Sequence, residues 1–291
     1  MDQAEKLRNV IKIKNQNHKP NARVITVTSG KGGAGKSNIA VNLAVQLKKM
    51  GKRVLIFDAD FGLANVEVMF GSVPRYNLSD LIYRGRNIRD IISEGPMGVG
   101  FISGGSGVIG MNNLSSDQIA YLVKSLRELD EIADVILVDT GAGIADNVLE
   151  FVMASSEVLL VTTPEPSSLT DSYSLLKTLY HNPNFRRERT SVKVIANKVT
   201  SSQEGKNVYD KLSSVVSKFL SGRVDYMGMI PYDMALDRSV RQQKIVSIQV
   251  PEANASRAFE VMASNLINNE CNEARMYGGI VQFLSWFFAG R

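Results

Sequence analysis

The sequence contains few of the residues that build disulfide frameworks and metal clusters. Its 291 residues include one cysteine, Cys271, and two histidines, His18 and His181. A single cysteine cannot form a disulfide within the chain or hold an iron–sulfur cluster, and histidines without clustered partners do not indicate a zinc site. This cysteine usage is typical of a protein from a reducing compartment.

Long apolar runs are also absent. No stretch reaches the roughly 18 apolar residues that a membrane-spanning helix needs, and the first residues are charged rather than apolar. Hydrophobic residues make up 44% of the chain and charged residues 22%, which is ordinary for a globular protein. We therefore expect a cytoplasmic protein without a signal peptide.

Short apolar runs alternate with helical patterns along most of the chain. The runs are Val24–Val27, Val54–Phe57, Val99–Ile102, Val135–Val138, Val158–Val161, Val192–Ala196 and Val224–Ile230. The helical patterns fall at about 36–50, 115–132, 168–181, 204–220 and 254–269. This alternation predicts an α/β fold with a mostly parallel, twisted sheet covered by helices on both faces.

Two helical appendages flank this domain, so the predicted regions are 1–22, 23–273 and 274–291. The first holds a short helix at Ala4–Ile13 and a polar linker, and its excess of basic residues suits nucleic acid, acidic lipid or simple solvation. The last has an apolar face with helical spacing, formed by Ile280, Phe283, Leu284 and Phe287 and widened by Trp286 and Phe288.

A glycine-rich loop follows the first strand and precedes a helix. It reads Gly30, Lys31, Gly32, Gly33, Ala34, Gly35, Lys36 and Ser37, followed by Asn38. This is the G-x-x-x-x-G-K-[ST] phosphate loop, in which backbone N–H groups and a helix N-terminus surround phosphate oxygens. The motif predicts that Lys36 holds the β- and γ-phosphates of ATP and that Ser37 ligates Mg²⁺.

Aspartates end two of the predicted strands. Asp58 and Asp60 follow the second strand, and Asp139 follows the strand at 135–138, with Gly141 and Gly143 just beyond it. Ligands bind at the carboxyl ends of parallel strands, where a carboxylate can hold Mg²⁺ or orient an attacking water.

Lys31 makes the loop resemble the deviant Walker A motif, K-G-G-x-G-K-[ST], of the MinD, ParA and nitrogenase-iron-protein families. The resemblance implies a P-loop ATPase in which Lys31 reaches across a dimer to the partner's nucleotide. It also implies that Asp139 is the Walker B carboxylate on the metal side, that Asp60 positions water in switch I, and that Asp58 supports the Mg²⁺ shell.

Two further roles follow from the same resemblance. Gly141 and Gly143 correspond to switch II, which swings toward the γ-phosphate. Asn197 corresponds to a residue that hydrogen-bonds adenine, and Pro231 and Asp233 to a loop that closes over the base. Ordinary turn chemistry is the alternative for these last three residues.

Longer motifs resemble one branch, the FlhG family of flagellar-number regulators, also called FleN or YlxH. They are residues 35–38, 58–65, 139–143, 162–166 and 169–173. The opening residues Asp2, Gln3, Ala4, Leu7 and Arg8 fit the family's D-Q-A-x-x-L-R motif. In that family the motif binds the GTPase FlhF, and its glutamine stimulates GTP hydrolysis; a capped helix without a partner is the alternative.

The FlhG resemblance implies an ATPase that forms a homodimer on ATP, controls flagellar number and placement, and meets FlhF and flagellar switch-ring proteins. It also implies that the C-terminal helix binds lipid at the inner face of the cell membrane. Only Arg275 and Arg291 are basic near this helix, so attraction to acidic lipid is weak, and a helix docked on the body or a partner is the alternative.

Rival functions share parts of this pattern. A MinD-type cell-division regulator shares every catalytic feature but not the D-Q-A-x-x-L-R segment. A ParA-type partitioning ATPase would bind DNA, a partner that we do not expect here. An iron–sulfur scaffold needs more cysteines, and a ligase of the dethiobiotin-synthetase type needs neither appendage.

Overall fold

The computed structural model describes residues 22–60, 65–105, 115–272 and 279–289. They contain one eight-stranded sheet with the strand order β3-β4-β2-β5-β1-β6-β7-β8, parallel except for the β3–β4 pair. The strands are β1 Arg23–Ser29, β2 Val54–Ala59, β3 Ser93–Glu94, β4 Gly100–Ser103, β5 Val135–Ala142, β6 Glu157–Thr162, β7 Ser191–Val199 and β8 Asp225–Pro231. All seven predicted strands are present; β3 was not predicted, because two residues carry no periodicity.

Helices cover both faces of the sheet, as the sequence predicts. They are α1 Lys36–Lys49, α2 Asn65–Phe70, α3 Leu78–Arg84, α4 Ile88–Ile91, α5 Ser116–Leu126, α6 Leu129–Ile132, α7 Asp146–Ala154, α8 Pro166–His181, α9 Ser202–Leu220, α10 Met234–Arg241, α11 Val246–Gln249, α12 Asn254–Asn272 and α13 Gly279–Ala289. The predicted N-terminal helix and its partner-binding residues lie outside the described residues.

Helix boundaries differ from the sequence pattern in two places. The pattern at 115–132 is two helices, α5 and α6, because the chain turns between Leu126 and Leu129 before entering β5. Helix α8 begins at Pro166 rather than at residue 168, since proline suits the first helical turn, where its missing N–H is no loss.

The sheet separates two layers of apolar side chains. In β1, Val24 points to one layer and Ile25 to the other, and both are buried. One layer lies under α1 and α12. The other lies under α3 to α9 and α13. Burial on both faces explains why these strands read as continuous apolar runs.

Helix α13 is docked on the body. Ile280, Phe283, Leu284 and Phe287 are at most 4% exposed. The ring of Phe151 in α7 lies 6.0 Å from that of Phe283 and 4.7 Å from that of Phe287. The alternative of a docked helix therefore describes this conformation, while lipid binding stays a prediction.

Asp130 joins the start of this helix to the start of the sheet. Its Oδ1 accepts a hydrogen bond from the Ile280 N–H at 3.0 Å and another from the Ala22 N–H at 3.2 Å. Burial raises the pKa of Asp130, and these amide donors oppose that rise. One carboxylate thus anchors the points at which both appendages meet the body.

Candidate active site

The glycine-rich loop connects β1 to α1 at the carboxyl edge of the sheet. Gly35 precedes α1 with a φ of 97°, and a Cβ there would lie 2.3 Å from the Asn197 amide nitrogen. A Cβ on Gly30 would lie 2.2 Å from the backbone of Asp171. Glycine is therefore required at both positions, by close packing and, at Gly35, also by the left-handed conformation.

Lys31 is held by residues at the start of α8. Its Nζ donates to Glu165 Oε2 at 2.7 Å and to Ser167 Oγ at 2.8 Å. The contact lowers the pKa of the exposed Glu165 carboxyl. In this conformation the side chain is therefore held within its own subunit and must leave Glu165 before it can reach a partner's nucleotide.

Asp58 and Asp139 face each other across neighbouring strands. The register of β2 and β5 pairs them directly, and their exposed fractions are 2% and 0%. Asp58 accepts hydrogen bonds from the backbone N–H groups of Asp60 and Val66, both at 3.1 Å. Neither oxygen of Asp139 has a hydrogen-bond partner of normal geometry among the described residues.

Burial raises the pKa values of both carboxyls, to about 7 for Asp58 and about 6 for Asp139. At Asp58 the neighbouring charge of Asp139 adds to the rise; at Asp139 the Lys36 ammonium and the nearby Ser37 hydroxyl oppose it. A buried carboxylate without a donor is costly unless a cation meets it.

Asp139 and Ser37 therefore fit a magnesium ion. The described residues form no group of three or more His, Cys, Asp and Glu that could hold a metal. Mg²⁺ typically takes one or two protein oxygens and fills its shell with water and substrate phosphates. When bound, the ion would neutralise charge on the β- and γ-phosphate oxygens.

Asp60 lies beside the loop lysine. Its Oδ2 is 3.7 Å from Lys36 Nζ and accepts a hydrogen bond from Asn65 at 3.1 Å. A Cβ on Gly141 would lie 3.8 Å from Asp60 Oδ1, so the two predicted switch segments adjoin each other. Gly143 donates its N–H to the carbonyl of Ser29 at 2.9 Å, which ties this segment to the strand before the loop.

The predicted base-binding residues have structural partners. The Asn197 side-chain amide donates to the Ala34 carbonyl at 2.7 Å and accepts from the Lys198 N–H at 2.9 Å. Pro231 ends β8, and Asp233 accepts from the N–H groups of Ala235 and Ala255 at 2.8 and 3.0 Å. Asp233 thus caps α10 and ties it to α12, while contact with a base stays a prediction.

This edge combines the parts that phosphoryl transfer needs. The loop and the start of α1 present backbone N–H groups and Lys36 to phosphates, and the Ser37 hydroxyl lies near Asp139, where a magnesium ion would fit. The Asp60 carboxylate is only partly buried and lies 3.7 Å from the Lys36 ammonium, while its role in orienting water stays a prediction. The arrangement is that of an enzyme that binds and hydrolyses a nucleoside triphosphate.

Comparison with known families supports this conclusion. Residues 25–246 match the model of the CobQ/CobB/MinD/ParA nucleotide binding domain. The chain belongs to the MinD/ParA superfamily of ATPases. Within it, the chain is an FlhG-type member, as its relatives indicate.

Two of these relatives cover most of the chain. The antiactivator FleN of Pseudomonas aeruginosa is 43% identical over 244 residues, which are 84% of this chain and 86% of FleN. The flagellum site-determining protein YlxH of Helicobacter pylori is 34% identical over 281 residues, or 92% of this chain and 90% of YlxH. The predicted resemblance to the FlhG family is thereby confirmed.

Solved structures of the superfamily share the fold. MinD in the MinC:MinD complex of Aquifex aeolicus has a TM-score of 0.66 at 25% identity and covers 88% of this chain and 100% of its own. MinD of Pyrococcus horikoshii, solved with Mg-ADP, has a TM-score of 0.66 at 23% identity, with 87% and 99% covered.

Sequence reasoning missed several residues that shape the site. Glu165 and Ser167 hold Lys31, and Lys198 donates its ammonium to the Gly33 carbonyl at 3.1 Å from a left-handed φ of 59°. Glu165 and Ser167 follow β6, and Lys198 lies near the end of β7, so their positions mark the correct edge of the sheet. Their contacts could not be foreseen, because they join segments more than 130 residues apart.

Proposed function

We propose that this ATPase is a switch that controls flagellar number and placement. It forms a homodimer around ATP, binds the cytoplasmic face of the membrane through α13 and returns to the monomer after hydrolysis. The observation that carries the proposal is the position of Lys31. It stands in the phosphate loop with its ammonium on Glu165 and Ser167 at the start of α8, an exposed position from which it could be released to a partner's nucleotide.

A route from nucleotide to helix supports the membrane step. Switch II at Gly141 and Gly143 leads directly into α7, whose Phe151 packs against Phe283 and Phe287 of α13. A shift of switch II toward a γ-phosphate would move α7 and weaken this aromatic contact. Helix α13 would then be free to bury its apolar face in lipid rather than in the body.

Similarity to FleN and YlxH supports the flagellar assignment. It extends over more than four fifths of this chain in both cases. The D-Q-A-x-x-L-R segment at Asp2 to Arg8 favours FlhF as a further partner through its N-terminal glutamine. A peptide of residues 1–20 should therefore speed GTP hydrolysis by FlhF, whereas the Gln3→Ala peptide should bind but stimulate less.

Flagellar counting tests the biological assignment. In a strain lacking this protein, the wild-type chain should restore the normal number of flagella per cell, and Lys36→Ala should not, because it cannot hold the triphosphate. If the strain that lacks this protein keeps a normal number of flagella but misplaces its division septa, the function is that of a MinD-type cell-division regulator instead.

Chromatography tests the switch separately. Asp60→Ala should keep ATP and accumulate as a dimer, because water is no longer oriented for attack. A monomeric Asp60→Ala protein that still holds ATP would contradict the role given to Asp60.

A further inference from the structure

The end of β7 lies beside the phosphate loop and has an irregular backbone. Lys198 has a left-handed φ of 59° there. The register with β8 also shifts at this point, since residues 197 and 199 of β7 pair with residues 230 and 231 of β8. Two steps along β7 therefore match one step along β8, which makes Lys198 a bulge. Its side chain is exposed between two buried neighbours.

Lysine is an unfavourable residue for this conformation. A left-handed φ brings Cβ close to the following carbonyl oxygen, so residues other than glycine, asparagine and aspartate rarely adopt it. Glycine would make the same turn at a lower cost. A lysine held in this conformation therefore points to a function of its side chain, as strained residues near active sites commonly do.

The side chains of residues 197 and 198 hold two consecutive carbonyls of the phosphate loop. The Lys198 ammonium donates to the Gly33 carbonyl at 3.1 Å. The Asn197 amide donates to the Ala34 carbonyl at 2.7 Å. Asn197 also accepts a hydrogen bond from the Lys198 N–H at 2.9 Å, so the bulge and the two donors form one connected unit.

These contacts determine where two N–H groups of the loop point. In a trans peptide the C=O and N–H of one plane point in opposite directions, and the described residues contain no cis peptide. The Gly33 carbonyl shares its plane with the Ala34 N–H, and the Ala34 carbonyl with the Gly35 N–H. Both N–H groups therefore point away from β7, and neither has a hydrogen-bond partner among the described residues. They can donate to phosphate oxygens, as the N–H groups of such loops do.

We propose that Lys198 is a positioning residue of the ATPase. Together with Asn197 it fixes two peptide planes of the loop before the nucleotide binds, so that the N–H groups of Ala34 and Gly35 already point toward the phosphates. A loop that is ordered in advance loses less conformational entropy on binding, which raises its affinity for the nucleotide. The inference depends on the ATPase site and not on the flagellar function.

Binding of ATP and ADP to Lys198→Met tests this proposal, because methionine removes the donor. Both affinities should fall about tenfold, and KM for ATP should rise by a similar factor. At the same time kcat should change less than about twofold, because the same N–H groups hold the phosphates before and during hydrolysis. Lys198→Arg keeps a cationic donor and should restore most of the affinity. Lys206→Met, at an exposed lysine of α9, is the control and should bind like the wild type.

A second variant separates the ammonium from the backbone. Lys198→Gly adopts the left-handed turn easily, so it should keep about the wild-type stability and yet bind ATP as weakly as Lys198→Met. Ser221→Gly is its matched control, because Ser221 is exposed and has a left-handed φ of 47° after the last turn of α9. It should bind ATP like the wild type. Wild-type affinity in both Lys198→Met and Lys198→Gly would overturn the proposal.

Two further measurements identify how Lys198 acts. Hydrogen exchange of residues 30–37 in the nucleotide-free protein should be faster in Lys198→Met, since the loop is no longer held. Weaker binding with unchanged exchange would mean that the ammonium contacts the nucleotide itself, and the positioning role would be wrong. The preference for ATP over GTP should stay the same, and its loss would assign Lys198 to the base instead. A fall in kcat with unchanged KM would place Lys198 in the chemical step and contradict the proposal.

Discussion

Both edges of the sheet bury a carboxylate, but in opposite electrostatic settings. At the carboxyl edge, Asp139 is fully buried, it has no hydrogen-bond donor of normal geometry among the described residues, and burial raises its pKa to about 6. At the amino edge, Glu157 is 1% exposed and bound by Arg23 and Lys193, and its pKa is lowered even though burial opposes this.

The difference distinguishes a carboxylate that stabilises the fold from one that binds a ligand. A carboxylate with every oxygen satisfied by its own chain contributes to the fold, and its removal leaves other charges unpaired. A buried carboxylate without a donor makes the ligand-free fold less stable and is explained by the cation it is shaped to receive. Substitutions at the two edges should therefore have opposite effects on stability and turnover.

Lys31→Ala should have the largest effect, on turnover at the carboxyl edge. If Lys31 acts in trans as an arginine finger does, ATP hydrolysis should fall about a thousandfold while ATP binding stays within a few fold. Dimer formation on ATP should also weaken. Single-turnover hydrolysis and equilibrium binding separate these effects, with Lys206→Ala as the control. Normal turnover and dimerisation would make Lys31 an ordinary loop lysine.

Glu157→Gln should have the largest effect on stability. It removes the buried carboxylate that Arg23 and Lys193 share, and breaking such a buried pair costs about 3–5 kcal/mol of the free energy of unfolding. Because the folded pKa of Glu157 is lowered, this stabilisation is present above the ordinary value of 4.5 and is lost as the pH falls through the folded pKa.

Urea unfolding at several pH values checks this prediction. Glu188→Gln, an exposed carboxylate at the same edge, should change the free energy of unfolding by less than about 0.5 kcal/mol. An equally small effect for Glu157→Gln at neutral pH would refute the contrast between the edges.

Asp139→Asn should lower turnover and leave stability unchanged or higher, which is the opposite of the effect of Glu157→Gln. Hydrolysis should fall about a hundredfold or more, because the metal-side charge is lost. The ligand-free protein should keep its stability or gain about 1 kcal/mol, since no unpaired carboxylate remains buried. Thermal unfolding without nucleotide and hydrolysis with Mg²⁺ measure the two quantities. A marked loss of stability would show that Asp139 is a structural residue.

Asp130→Ala should loosen α13 at its start. The N–H groups of Ala22 and Ile280 lose their acceptor, at a cost of about 1–3 kcal/mol. Hydrogen exchange of residues 280–288 should accelerate, and vesicle binding should increase. Asp130→Asn keeps an acceptor oxygen and should resemble the wild type. Unchanged exchange in Asp130→Ala would mean that the aromatic contacts alone hold the helix.

Glu165→Gln should have the smallest effect. The pair with Lys31 is exposed, and solvent screens such a pair so strongly that it contributes little to stability. Dimerisation on ATP should become up to about threefold easier, because Lys31 leaves its own subunit more readily. Analytical ultracentrifugation at several ATP concentrations would detect the shift, and weaker dimerisation would assign Glu165 to the interface instead.

The sequence alone predicted the features that depend on local pattern. Apolar runs that alternate with helical patterns predicted the parallel sheet, because this pattern is periodic along the chain. The spacing from Gly30 to Ser37 predicted the phosphate loop, because the motif is contiguous. The strand-end position of Asp58, Asp60 and Asp139 followed from the same pattern, since parallel strands end at one edge.

Only the tertiary structure decided which groups meet across the chain. It paired Asp58 with Asp139 through the register of β2 and β5, attached Lys31 to Glu165, and gave Asp130 the N–H groups of both Ala22 and Ile280. The apolar spacing of α13 could not distinguish a lipid surface from a protein surface, because both accept the same side chains. The physical reason is common to all these cases: hydrophobic periodicity is local, whereas partners are chosen by packing between distant segments.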